Sequence, residues 1–261
     1  MTIPEPFIMS LAGAALAVVM FALLLFVLAL IRRDNGVADI GWGIAGIVAV
    51  MFVLWQRDGV VLRQVLATSL VGIWGARLAV HIAARNRGKG EDKRYAAWRI
   101  RWGEHWLIRS FLQVFLLQSA LLVVVVSPVL YVNTFGGPRL GWLDALGAAL
   151  WLFGFIWETV GDHQLARFKR SGNRGKVMMR GLWRYSRHPN YFGEAVMWWG
   201  LWLIALSVPG SWVTVAGPLL ITFLLIWVSG VPMTERFFAS NPEYARYRKT
   251  TNAFLPWRPK G

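Results

Sequence analysis

Seven apolar runs, most of them near twenty residues long, constrain this chain more than any other feature. A helix needs about 20 consecutive apolar residues to cross the hydrocarbon core of a bilayer. The runs cover Phe7–Ile31, Ile40–Trp55, Val60–Ala84, Ile108–Tyr131, Trp142–Gly161, Tyr191–Val208 and Trp212–Val231. The third also carries Arg63, Arg77 and His81. The first follows Pro4-Glu5-Pro6, lacks the basic leading end and small-residue cleavage site of a signal peptide, and is expected to be a retained anchor.

Charge gives these runs a direction. The net charge is +15, from 28 Lys and Arg against 13 Asp and Glu. Most of the cations lie in alternate segments, at 32–39, 85–107, 162–190 and 232–261. The connections on the other side contribute only Arg57 and Arg139. The positive-inside rule then predicts an external N-terminus and a cytoplasmic C-terminus. The expected fold is an all-α integral membrane protein, a seven-transmembrane-helix bundle with a C-terminal interfacial helix over Pro232–Lys249. Neither an internal repeat nor a low-complexity linker divides it, so residues 1–261 read as a single membrane domain. At 56% hydrophobic residues the chain is too apolar for a soluble nucleic-acid binder, and with no Cys it has no thiol nucleophile or Cys-held metal. Four scattered His leave little for a His-based metal site.

Polar residues beside membrane spans are costly and mark candidate sites. Glu158 and Asp162 are four apart, on one helix face, and lead into Arg167, Lys169 and Arg170. Acids beside cations suit a ligand carrying hydroxyls and phosphates, or else form an interfacial salt-bridge network. In Tyr185-Ser186-Arg187-His188-Pro189-Asn190-Tyr191-Phe192-Gly193-Glu194, Pro189 ends any preceding helix and opens the next. Free N–H groups, the positive end of the helix dipole and the nearby Arg187 make an anion site, with Glu194 one turn in. Complementing the helix dipole is the simpler role for Glu194, and lipid contact the simpler one for Arg187 and His188. Asn86, Lys89 and two glycines lie in the basic loop Arg85–Tyr95, which is either a phosphate clamp without a Walker motif or a solvated topogenic loop. Asp39 opens the second run beside Gly41, Trp42 and Gly43. Desolvation would keep its carboxyl protonated as a proton donor; the alternative is an N-cap.

These segments together resemble the steroid 5-alpha-reductase superfamily, in its bacterial, DUF1295-like branch. The resemblance is carried by Asp39-Ile40-Gly41-Trp42-Gly43, Trp74-Gly75-Ala76-Arg77-Leu78, Glu91-Asp92-Lys93-Arg94-Tyr95, the Arg187–Glu194 motif and the tail Tyr244…Tyr247…Thr251…Phe254-Leu255-Pro256-Trp257. It implies a seven-helix bundle in a bacterial inner membrane, NADPH as cofactor and a lipophilic substrate whose activated C=C bond is reduced. It also implies a cofactor-binding half at about 85–261. Cofactor contacts carried over from the family fall on Asn86, Lys89, Asp162, Lys169, Asn190 and Glu194, with Lys176 further along. Tyr185, Arg187, His188 and Tyr191 adjoin them. The aromatic residue that approaches the cofactor falls on Phe237, which lacks a hydroxyl. Steroid-reducing members carry a Glu in span two and a Tyr in span three that polarise the substrate carbonyl. Here Asp39 stands near the first position and Gly75 at the second, so the resemblance supports the cofactor more than a steroid. Asp39 is the candidate catalytic acid. The Arg-His-Pro-x-Tyr signature is shared with membrane methyltransferases that use S-adenosylmethionine, though Glu235 lacks their second adjacent Glu. A lipid-binding protein without catalysis is the third reading.

Overall fold

The computed structural model describes residues 3–137, 139–173 and 176–260. Every regular element among them is helical. The chain divides into two compact units, the first of residues 1–141 and 205–217, the second of 142–204 and 218–261.

The first unit contains α1 (Glu5–Arg32), α2 (Val37–Trp55), α3 (Leu62–Asn86), α4 (Lys93–Trp102), α5 (Trp106–Ser110) and α6 (Leu117–Phe135). Between α5 and α6 lies a π-helical turn, Phe111–Leu116. The run expected to start at Ile108 is therefore part of a 43-residue helical stretch, Lys93–Phe135. Half of the loop expected at 85–107 is helix because Asp92 caps α4, its carboxylate accepting from the Arg94 N–H at 2.9 Å. At the far end of the unit, Arg63 on α3 donates to the Gly136 carbonyl, and Gln64 donates to that of Asn133. These polar residues of the third run are thus capping backbone oxygens.

The second unit contains α7 (Trp142–Arg170), α8 (Pro189–Ala205), α10 (Val231–Phe237) and α11 (Pro242–Thr250); α9 (Ala216–Phe223) and a π-helical turn, Leu224–Val228, lead into α10. α7 continues nine residues past Gly161, where the apolar run ends. Its seam against α8 is built from glycines seven apart. A Cβ on Gly147 would stand 2.6 Å from the Gly200 carbonyl, and one on Gly154 2.5 Å from that of Gly193. Small residues at this spacing let two backbones touch, which replaces the hydrophobic driving force that lipid does not supply.

Six helices among the described residues are long and apolar enough to cross a membrane. The remaining expected span, the sixth (Tyr191–Val208), is α8, which is 17 residues long and falls short of that length. Pro189 fixes its start, and the turn after Ala205 ends it before the expected Val208. The C-terminal segment forms two short helices, α10 and α11, and not one. Asn241 separates them, its side chain accepting from the Glu243 and Tyr244 N–H groups as the cap of α11.

Candidate functional site

The polar residues of the second unit gather where α7 ends and α8 begins. Gly181, at φ +62°, turns the chain back so that the Leu182 N–H reaches Gln164 of α7 at 3.0 Å. The Trp183 indole donates to the Gly161 carbonyl at 3.1 Å. These two bonds lay the connecting turn on α7, and Pro189 then starts α8. Asn190 in its first turn donates from Nδ2 to Asp162 at 3.1 Å. The other amide atom, Asn190 Oδ1, is buried without a hydrogen-bond partner. Glu158 lies one turn before Asp162, buried at the closest approach to Gly193, and Glu194 is half-buried in α8. The site thus holds carboxylates, one unsatisfied amide oxygen and a helix N-terminus within two turns of helix. Lys169 is exposed on the last turn of α7, and Lys176 is exposed beyond it.

Arg187 has a different setting from the one expected. Its Nε donates to Glu235 at 3.0 Å and its Nη2 to the same carboxylate; Nη1 donates to the Thr251 and Arg248 carbonyls. The guanidinium fork is thus largely spent inside the protein, pinning α10 and the tail to the turn. Other bonds follow the same path. Asn252 O accepts from the Arg187 N–H at 2.9 Å, Phe254 O from the Ser186 hydroxyl at 2.8 Å, and Tyr185 O from the Trp257 N–H at 3.0 Å. The Tyr247 hydroxyl donates to Trp183 O. Glu235 and Tyr247 are the residues that sequence reasoning missed as parts of this site. Tyr247 was already visible in the tail pattern Tyr244…Tyr247…Thr251…Phe254.

His188 is 1% exposed and stacks on the Tyr191 ring, with centroids 5.3 Å apart and planes at 8°. Glu235 is 4.0 Å from its Nε2, but that carboxylate is already claimed by Arg187. Burial, and then the Arg187 charge, push the imidazole from its ordinary 6.5 down to about 3. Above pH 6.5 it is neutral whether the chain is folded or not. Below that the unfolded chain takes up a proton that the folded one refuses, so stability falls as pH drops from 6.5 towards 3. The limiting slope is about 1.4 kcal/mol per pH unit. Melting of the detergent-solubilised protein is expected to drop between pH 7 and pH 5, and to drop less in His188→Gln. Parallel profiles for the two proteins would refute the assignment.

In the first unit, Asp39 sits in the first turn of α2. One of its oxygens accepts from Arg94 at 2.7 Å and the other from the Tyr95 hydroxyl at 2.5 Å. Arg94 also pairs with Asp92 at 3.0 Å. Neither the lone desolvated carboxyl nor the N-cap expected from the sequence is found, since Gly36 occupies the cap position. Asp39 accepts from both neighbours, and the Tyr95 hydroxyl is one of the two donors. Tyr95 is 2% exposed. In the same unit Gln118 lines a narrow apolar cavity with Phe21, Leu25, Trp42 and Phe115. Tyr95 was visible in the sequence only as the end of a charged loop. Asn86 ends α3 and, with Lys89, closes a turn through the Lys89 N–H to Asn86 O at 3.0 Å. Among the expected residues, the structure joins Asp162 to Asn190 and His188 to Tyr191. Asp39, Asn86 and Lys89 belong to the first unit.

The family described as "Protein of unknown function (DUF1295)" matches residues 25–251. The chain belongs to this family. It is 31% identical over 110 residues to bovine (Bos taurus) 3-oxo-5-alpha-steroid 4-dehydrogenase 1, covering 42% of this chain and 41% of that protein. It is 40% identical over 65 residues to the Mus musculus protein of the same name, covering 24% and 26%. Steroid 5-alpha-reductase DET2 of Arabidopsis thaliana is 32% identical over 122 residues, covering 44% and 42%. The chain thus spans about two-fifths, or less, of the curated relatives it matches. These similarities place it in the steroid 5-alpha-reductase superfamily, and with six apolar helices among the described residues it is an integral multi-pass membrane protein. No solved structure matches it.

Proposed function

We propose that the protein is an NADPH-dependent membrane reductase acting on an activated C=C bond, an enone or enoyl group, in a lipophilic substrate. Residues 1–261 act as one membrane domain in this reading, with α8 as the sixth of seven spans and the C-terminus cytoplasmic. The observation that carries it is Asn190, held by Asp162 while its own Oδ1 stays buried and unsatisfied. An unsatisfied buried acceptor costs about 1–3 kcal/mol, which a donor on a bound ligand would recover. A carboxamide or ribose hydroxyl is such a donor, and similarity to named reductases supports a dinucleotide.

When bound, NADPH supplies the hydride. The remaining roles fall to the chain. Asp162 and Asn190 orient polar groups of the cofactor at the start of α8, and Glu194 accepts from it one turn further in. Lys169 meets its phosphates. His188 and Tyr191 form a stacked wall that excludes water. Arg187 keeps Tyr185 and the turn in place through Glu235 and the tail. In the first unit Asp39 orients the Tyr95 hydroxyl, and that hydroxyl holds the proton for a substrate oxygen.

Thermal stabilisation of the purified protein by NADPH, NADH and S-adenosylmethionine tests this reading. NADPH is expected to stabilise the wild type, and Asn190→Ala to weaken its binding about tenfold or more. Asn190→Ala should melt within a few degrees of the wild type without ligand. Stabilisation by S-adenosylmethionine alone would mark a methyltransferase, and no response to any of the three a protein without either cofactor.

A further inference from the structure

A cleft of about 560 Å³ in the second unit borders the α7–α8 junction and shares only Tyr185 with the residues discussed there. Trp157, Tyr185, Pro256, Trp257 and Arg258 line it. The tail forms one wall, held there by the Trp257 N–H on the Tyr185 carbonyl. Arg258 brings the charge of the lining, and Trp157 a second side-chain donor. The Trp157 indole N–H is buried with no hydrogen-bond partner. Arg258 is exposed and pairs with no carboxylate among the described residues. Arg184 and Lys260, next to the lining residues in sequence, are exposed cations as well. The other surface is aromatic: Tyr185 is 40% and Trp257 69% exposed.

The geometry points to this cleft as a binding site for an anionic phospholipid, with the phosphate at Arg258 and the glycerol and upper acyl chain against the Trp faces. An exposed guanidinium with no carboxylate partner selects an anion, and its fork suits phosphate oxygens. Aromatic walls select an amphiphile over a free ion. The position on α7 agrees. Trp157 lies near the end of the apolar run Trp142–Gly161, just before Glu158 and Asp162 and the cations Arg167, Lys169 and Arg170. Trp and Tyr concentrate at that level of a membrane, where the phosphates lie.

Dioctanoyl-phosphatidylglycerol, dioctanoyl-phosphatidylcholine and glycerol 3-phosphate serve as probes, each titrated against the full chain in neutral detergent with melting as the readout. Phosphatidylglycerol is expected to stabilise the wild type more than phosphatidylcholine. Arg258→Gln should raise the phosphatidylglycerol concentration for half-maximal effect about tenfold, the loss expected for one charge-assisted bond. Trp257→Phe should keep the response and Trp257→Ala reduce it; if the latter does not fold, Arg258→Gln decides. An unchanged phosphatidylglycerol response in Arg258→Gln would overturn the proposal, as would equal responses to the two lipids. Equal protection by glycerol 3-phosphate would instead make the cleft a soluble phosphoester site. Loss of the NADPH response in Arg258→Gln would assign the cleft to the cofactor, whereas loss confined to Asn190→Ala leaves the lipid site standing.

Discussion

Gly193→Ala is expected to disrupt the second unit, with a loss of about 3 kcal/mol, the upper end of the range for overpacking. A methyl group there would stand 2.6 Å from both the Glu158 nitrogen and the Gly154 carbonyl oxygen. Both atoms are helix backbone and cannot turn aside as a side chain can. The only relief is to part α7 from α8, which also separates Asp162 from Asn190. Purified Gly193→Ala should therefore melt well below the wild type and lose NADPH stabilisation with its fold. Gly72→Ala is the control, since a methyl at Gly72 meets nothing within 4 Å. A Gly193→Ala protein as stable as that control would mean the seam is not closely packed.

Arg187→Ala should cost about as much, for an electrostatic reason. Arg187 and Glu235 are 8% and 16% exposed, and removing one partner of a buried pair typically costs about 3–5 kcal/mol because the other charge is stranded. Arg248 reaches Glu235 at 3.4 Å but is 54% exposed, so it compensates only in part. The Thr251 and Arg248 carbonyls lose their donor as well. The tail from 251 to 257 should then be cut by protease at much lower protease concentration than in the wild type. Arg187→Lys should restore little, because a point charge cannot bridge one carboxylate and two carbonyls together. If Arg187 instead served mainly as a phosphate contact, Arg187→Ala would bind NADPH weakly yet keep its melting temperature and its tail protection.

The same residue shows why only part of the site was legible in the sequence. Arg-His-Pro-Asn-Tyr marks the start of a helix, because Pro189 restricts His188 and lacks the N–H that a helix interior needs. A basic residue next to such a start reads as an anion ligand. Its true partner, Glu235, is 48 residues away, and no local pattern connects the two. Asp39 is a parallel case: it reads as a lone acid until α4 brings Arg94 and Tyr95 onto its two oxygens. The glycines at 147, 154, 161, 193 and 200 were visible letter by letter, but their meaning depends on α7 and α8 lying side by side.

The sequence by itself determined that the chain is helical, membrane-embedded and poor in polar residues, and where those polar residues concentrate. Those properties follow from local physics: the length of apolar runs, the bias of cations and the backbone limits of proline. The tertiary structure decided which polar residues hold the protein together and which keep a buried atom unsatisfied. Arg187 went to the first group and Asn190 to the second, although they stand three residues apart. The reason is that a hydrogen bond or ion pair is set by distance in space, and only packing brings residue 235 to residue 187 and residue 162 to residue 190.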